Sequence, residues 1–380
     1  MDIMVEGPRS AQVAGMLHER DIPYAIAIGD VDPMIRREQG SSFTKDSRTS
    51  ALRRKMDWKG YYRLDVIYSF MDDLATRFPY LCTVSVIGRS VEGRDLKMLK
   101  ISNGNSGNEG VWIDGSIHPR EWISTAVVTY LANYLVTNYH ELSETVTNKD
   151  WYILPVLNPD GYEYTHTHDR MWRKNRARYG ECVGVDLNRN FSYGWGEKGE
   201  EGSSEDPGNI FFRGPEPFSE PETAAVKHVI LESGTNFKVF LSLHSYGEVI
   251  IFPWGYTGDP CPDYVELLEG GTAMAKYGRH TSTGRLSEVI KDLLRVLTPW
   301  SVHSGDAGLF FELDAVEPAS SSLSGLELES SCGAGGLSHQ SYPPYNCEYS
   351  QAGGVGRRGE LRNSCAAKAL WKRLDGAGSG

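Results

Sequence analysis

From Trp58 to about Ile290 the chain switches repeatedly between two hydrophobic periods, and that alternation limits what it can become. Residues 62–78 (YRLDVIYSFMDDLATRF) repeat their apolar side chains at helical spacing. Residues 82–88 (CTVSVIG) and 96–102 (LKMLKIS) alternate or run apolar, as strands do. A buried-strand pattern follows at 110–117 (GVWIDGSI), a long helix at 121–139, and another strand at 151–159 (WYILPVLNP). A helix over 219–233 with Ser219 as its expected N-cap, a strand at 237–245 (FKVFLSLHS) and a helix at 262–278 complete the series. Strands interleaved with helices predict an α/β fold: a mixed, mostly parallel central sheet with helices on both faces.

The flanks read differently. Residues 1–36 hold a helical pattern (AQVAGMLHE) and an apolar run, IPYAIAI, that reads as a strand. Residues 37–56 are polar and basic, with Arg36 and Arg37 at the start of the stretch and Arg53, Arg54 and Lys55 near its end; they read as an exposed linker open to proteolysis. Residues 315–365 are Ser/Gly-rich and without period, which predicts a divergent tail, 315–380, largely without fixed structure. A short helix at 369–374 is the one element expected there.

A formal net charge of −11 offers no basic footprint for nucleic acid. No apolar run approaches the roughly 18 residues a membrane helix needs. The first twenty residues lack the apolar core of a signal peptide, so the expectation is an intracellular protein or an incomplete N-terminus. None of the six cysteines forms a CxxC pair, which argues against a structural zinc ribbon.

Chemistry concentrates at strand ends. His118 and Glu121 stand three residues apart (HPRE), directly after the strand GVWIDGSI and at the start of a helix. Such a pair can converge on one ion at a sheet's carboxyl end, or can be a helix-start ion pair. His244 closes the strand FKVFLSL, either as a third ligand or as a satisfied core histidine. His166 and His168, in THTHDR, are a weaker metal pair that flanks a turn.

Six motifs then occur in a fixed order: HPREW from 118, NPDGY from 158, RMWRKNR from 170, GVDLNRNF from 184, GPEPFSEPET from 214 and LHSYGE from 243. In that order they resemble the zinc metallocarboxypeptidases of the pancreatic, digestive type, over roughly 57–290. The resemblance implies a hydrolase holding one Zn²⁺ through His118, Glu121 and His244. It assigns Arg173 to the scissile carbonyl and the oxyanion, and Asn188 and Arg189 to the substrate's terminal carboxylate. Arg120 is expected to line the same cleft, and Asp186 to accept from His118 and fix its tautomer. A planar guanidinium that grips a carboxylate with two hydrogen bonds suits an exopeptidase. The expected partners are peptide or protein C-termini, and the chain is expected to be a monomer. By the same resemblance residues 1–36 look like the end of an inhibitory propeptide, 57–314 like the enzyme domain, and the protein like a secreted one.

The family carries a catalytic glutamate in an ELRD-like strand, with a mobile tyrosine some twenty residues before it. Here the nearest segment is GLFFELD at 308–314, with Glu312 in the glutamate's place and no arginine after it. No tyrosine takes the mobile position. Cys182 matches one half of the family's bridge, but its partner's place reads EDPGN, so a free thiol is expected. The base must stand within about 2.6–3.2 Å of the proton it takes, which a loose tail cannot ensure. Hydrolysis is therefore expected to be slow or absent. The alternatives are a zinc- and peptide-binding protein without catalysis, or a zinc deacylase of N-acyl amino acids, which uses similar ligands.

Overall fold

The structure, a computed structural model, describes residues 4–42, 56–197, 199, 202–246, 249–255, 257–279, 309–314, 350–351 and 354–355. The N-terminal part holds helices α1 (Ser10–His18) and α2 (Asp32–Ser42). Helix α3 (Leu64–Arg77) follows and buries Leu64, Ile67, Met71 and Leu74, one stripe at helical spacing. It ends at Phe78, whose conformation is restricted by the following Pro79. Strands β1 (Cys82–Arg89) and β2 (Asp95–Ile101) pair antiparallel. Gly88 on β1 leaves no room for a side chain, since a Cβ there would stand 2.7 Å from that of Ala225.

The next segments build the centre. Strand β3 (Glu109–Gly115) leads into α4 (Trp122–Thr137), then the short α5 (Glu144–Thr147) and β4 (Lys149–Leu154). Strand β4 stops at Leu154 because Pro155 lacks the N–H that a further ladder position needs. Helix α6 (Pro159–Thr167) starts at Asn158, whose side chain accepts from the Gly161 N–H. A two-residue ribbon, β5 (Arg178–Tyr179) and β6 (Cys182–Val183), precedes α7 (Pro221–Glu232), β7 (Phe237–His244), β8 (Val249–Ile251) and α8 (Tyr264–Arg279). Strands β9 (Leu309–Asp314), β10 (Ser350–Gln351) and β11 (Gly354–Val355) complete the sheet.

The sheet order is β1-β2-β4-β3-β7-β9-β8-β10-β11. Parallel pairing is confined to the four central strands β4, β3, β7 and β9, and the pairs on both sides of them are antiparallel. One core, with Ile67, Leu74, Val128, Leu131, Leu267 and Met274, lies under α3, α4 and α8. The other, with Trp112, Phe240, Val226 and Ile230, lies under α7. Both faces of the central strands are thus covered, which is why β3, β4 and β7 read as unbroken apolar runs. From β3 the chain crosses through α4 to β4 on one side, and β7 arrives on the other. The carboxyl ends of β3 and β7 therefore flank a topological switch point, where open α/β sheets place ligand sites.

Four expectations are corrected. The run IPYAIAI is no strand: Ile22, Tyr24, Ile26 and Ile28 are all exposed, because alternating apolar residues make a strand only where a neighbour accepts their ladder. Helix α2 runs to Ser42, into the segment read as a linker; residues 43–55 lie outside the described residues. Ser219 is not the N-cap of α7. Pro221 at the first helical position starts the helix one residue later, with Glu220 in the cap, and the Ser219 hydroxyl instead accepts from Asn190 Nδ2 at 2.8 Å. In the tail, β10 pairs with the free edge of β8, where no strand was expected. The expected helix at 369–374 lies outside the described residues.

Candidate metal centre

The turn that leaves β3 is tightly built. Ser116 takes a left-handed conformation (φ 55°), which costs a non-glycine residue about 1 kcal/mol or more. Its N–H donates to Ser124 Oγ at 2.9 Å, and Ser124 Oγ donates to the Glu121 carbonyl at 2.7 Å. These bonds tie the first turn of α4 back to the strand and aim His118 and Glu121 at one point. His244, the last residue of β7, arrives there from the neighbouring strand.

His118, Glu121 and His244 are all buried, and no other group of three or more ligand-type residues converges among the described residues. His118 Nδ1 lies 2.9 Å from Glu121 Oε1, and His244 Nδ1 lies 3.0 Å from Glu121 Oε2. The two Nδ1 atoms face each other at 3.2 Å. With the ring protons on Nε2, two Nδ1 lone pairs and a carboxylate at these distances repel one another unless a positive charge lies between them. Zinc takes such donors at about 2.0–2.2 Å, so a tetrahedral set has donor-to-donor separations of about 3.3–3.5 Å. The observed edges are slightly tighter than that, and the donor set suits zinc. Burial alone raises the Glu121 carboxyl; the two imidazoles outweigh it and hold it well below its ordinary value.

The far side of each ring is supported. His118 Nε2 faces Asp186 Oδ1 at 3.2 Å. His244 Nε2 lies 3.4 Å from Ser242 Oγ, which donates to Asp114 Oδ1 at 2.7 Å; Trp112 Nε1 donates to the other oxygen of Asp114. With Nε2 as the donor on both rings, each Nδ1 presents a lone pair to the shared point. Asp114 and Ser242 were missed in the sequence, where they look like isolated polar residues in apolar strands.

Asp186 is the hub of the surrounding charge. It also accepts from Arg173 Nε at 3.0 Å and from the Asn188 N–H at 3.1 Å. Burial works to raise its carboxyl, but Arg173, Arg189 and His118 together hold it well below the usual range. Arg189 donates to the carbonyls of Gly202 and Asn188. Arg120 reaches the Met171 carbonyl at 3.5 Å, and its guanidinium is depressed by burial and by the nearby Arg173. Three arginines thus gather around one fully buried aspartate, leaving positive potential for an anion. The structure brings together every sequence-predicted site residue except Glu312, of which only the backbone is described. That backbone lies in β9, paired with β7 so that Glu312 is opposite Ser242 and Asp314 opposite His244.

His166 and His168 form no metal pair. His166 stacks on Trp122 at 4.0 Å inside α6 and His168 stacks on Tyr164 at 4.7 Å, so the helix turns them onto different aromatic partners. Cys182 is a free thiol, as expected from its missing partner.

With this geometry in view, comparison with known proteins is specific. A family model described as zinc carboxypeptidase, Peptidase_M14, matches residues 67–299. Carboxypeptidase B of Astacus astacus is 43% identical over 215 residues, which are 56% of this chain and 70% of that protein. Carboxypeptidase A1 of Bos taurus is 34% identical over 315 residues, 80% of this chain and 74% of that protein. Among solved structures, carboxypeptidase A from Helicoverpa armigera superposes with a TM-score of 0.68 at 26% identity, over 82% of this chain and 78% of that one.

Proposed function

The chain belongs to the zinc carboxypeptidase family, and from that premise we propose that it releases C-terminal amino acids from peptides, using one zinc held by His118, Glu121 and His244. The observation that carries this reading is the meeting of His118 Nδ1, His244 Nδ1 and the Glu121 carboxylate within 3.2 Å of one another. Zinc, when bound there, supplies Lewis acidity toward a water and the substrate carbonyl. The residues supply the rest. Arg189 and Asn188 receive the terminal carboxylate, which fixes the last residue of the substrate. Arg173, oriented by Asp186, donates to the oxygen of the scissile carbonyl as negative charge gathers on it. Arg120 lines the cleft beside Arg173. Asp186 and the Ser242–Asp114 pair keep both imidazoles in the tautomer that a metal requires.

Glu312 is the proposed general base, taking the water's proton and delivering it to the leaving amine. Its support is β9, a strand bonded on one side to β7 and on the other to β8. Such a strand offers the rigidity that a loose tail lacks. A second reading, an enzyme with impaired turnover or a zinc- and peptide-binding protein without catalysis, has its own support. The arginine that the family pattern carries after the glutamate is absent here, where the chain reads Glu312-Leu313-Asp314. The enzyme domain is proposed to span 57–314, with 1–36 belonging to an inhibitory propeptide, and secretion follows from the same reading. Metal analysis of His244→Ala tests the centre: bound zinc is expected to be lost, and full retention would remove the basis of the proposal.

A further inference from the structure

Two adjacent phenylalanines near the cleft meet opposite fates. Phe212 is buried, edge-on to Tyr179 and under the Lys174 ammonium. Phe211 is 41% exposed. A single exposed aromatic ring means little by itself. Phe211, however, is not on a loose tip. Its N–H donates to Asn209 Oδ1 at 2.8 Å and its carbonyl accepts from the Ser204 N–H at 3.0 Å. Lys174 Nζ holds the same loop from below, through the carbonyls of Pro207 and Asn209 at 2.9 and 3.1 Å. The ring is held outward by a fixed backbone.

What it meets there is specific. The guanidinium carbon of Arg173 lies 5.4 Å from the ring centroid, and that of Arg189 lies 5.7 Å from it. Both are within the roughly 6 Å at which the negative face of an aromatic ring attracts a cation. The two arginines come from different segments and both act on one carboxylate, Asp186; as like charges they repel each other, and that single anion cannot neutralise both. A π face draws both cations inward, yet it occupies neither guanidinium with a strong acceptor. A carboxylate in its place would compete with the ligand for the same N–H groups.

We propose that Phe211 is a positioning residue for carboxylate recognition, its ring holding Arg173 and Arg189 at the spacing that an incoming C-terminal residue needs. This rests on the reading that those two arginines meet the substrate. The test measures binding to the zinc-loaded full chain by calorimetry. The probes are a peptide with an N-methylated final peptide bond, to resist hydrolysis, and a free C-terminus, together with its C-terminal amide. Phe211→Leu keeps the apolar bulk and removes the π face; Phe211→Tyr restores it. The expected result is binding of the free acid about 5-fold weaker in Phe211→Leu, with the amide little changed and Phe211→Tyr at the wild-type value. Unchanged acid binding in Phe211→Leu, equal losses for acid and amide, or no rescue by Phe211→Tyr would each overturn the proposal while wild type still prefers the acid. A wild type without that preference would overturn the functional reading first, and this proposal with it.

Discussion

Replacing Asp186 with asparagine changes one atom and should disable the centre from behind. The wild-type carboxylate is fully buried, faces His118 Nε2 at 3.2 Å, and accepts from Arg173 Nε at 3.0 Å and the Asn188 N–H at 3.1 Å. An asparagine offers one acceptor and one donor in the same space. Its NH₂ can point at Arg173, which sets donor against donor and leaves a partly buried guanidinium without its anion. It can instead point at His118, which forces Nε2 to accept. The ring proton then moves to Nδ1, the atom aimed at Glu121 and His244, and a protonated nitrogen cannot ligate. Loss of such an outer partner costs about 10–100-fold in metal affinity, or about 1.4–2.8 kcal/mol. Chelator competition on Asp186→Asn measures this directly, with unfolding of the metal-free protein as a parallel readout. Zinc affinity within two-fold of wild type, at unchanged stability, would refute the role given to Asp186.

Two further predictions draw on other parts of the molecule. Arg189→Ala should weaken binding of peptides with free C-termini by about 10-fold or more, on the scale of about 1.5–3 kcal/mol for a charge-assisted bond, and spare amidated peptides; equal losses would argue against an exopeptidase pocket. Glu222, buried between the Val91 N–H and Asn175 Nδ2, has its carboxyl pushed up to about 7 by burial, with Asp160 adding to it. Because the folded value exceeds the ordinary 4.5, the folded state binds the proton more tightly, and stability present below pH 4.5 is lost as pH rises through 7. Denaturant unfolding at pH 5 and pH 8 should show wild type losing about 2.5 kcal/mol relative to Glu222→Gln, whereas parallel profiles would contradict this assignment.

Much of this was legible in the sequence, for identifiable reasons. Helix α3 and strands β3 and β7 declare themselves because burial on one stripe or on both faces imposes a period or an unbroken apolar run. His118, Glu121 and His244 could be read because each sits in a local motif at a strand end. Asp114 and Ser242 could not, since their pairing joins positions 128 residues apart, and register is a property of the folded sheet. IPYAIAI misled because apolar alternation reports what a segment could bury without naming a neighbour. Ser219 misled because cap preference yields to the fixed geometry of Pro221. Glu312 was visible as a residue type, but its claim to a role depends on β9 lying between β7 and β8, which no local pattern announces.

The most direct test of the account is product analysis with zinc-loaded protein and two matched peptide pools, one with free C-termini and one amidated. The account predicts products shortened by single residues from the C-terminus, from the free pool alone. They should disappear on chelation and fall about 10²–10⁴-fold in Glu312→Gln with zinc retained. Zinc-loaded protein that yields no such products, or that cuts free and amidated peptides alike, would contradict it.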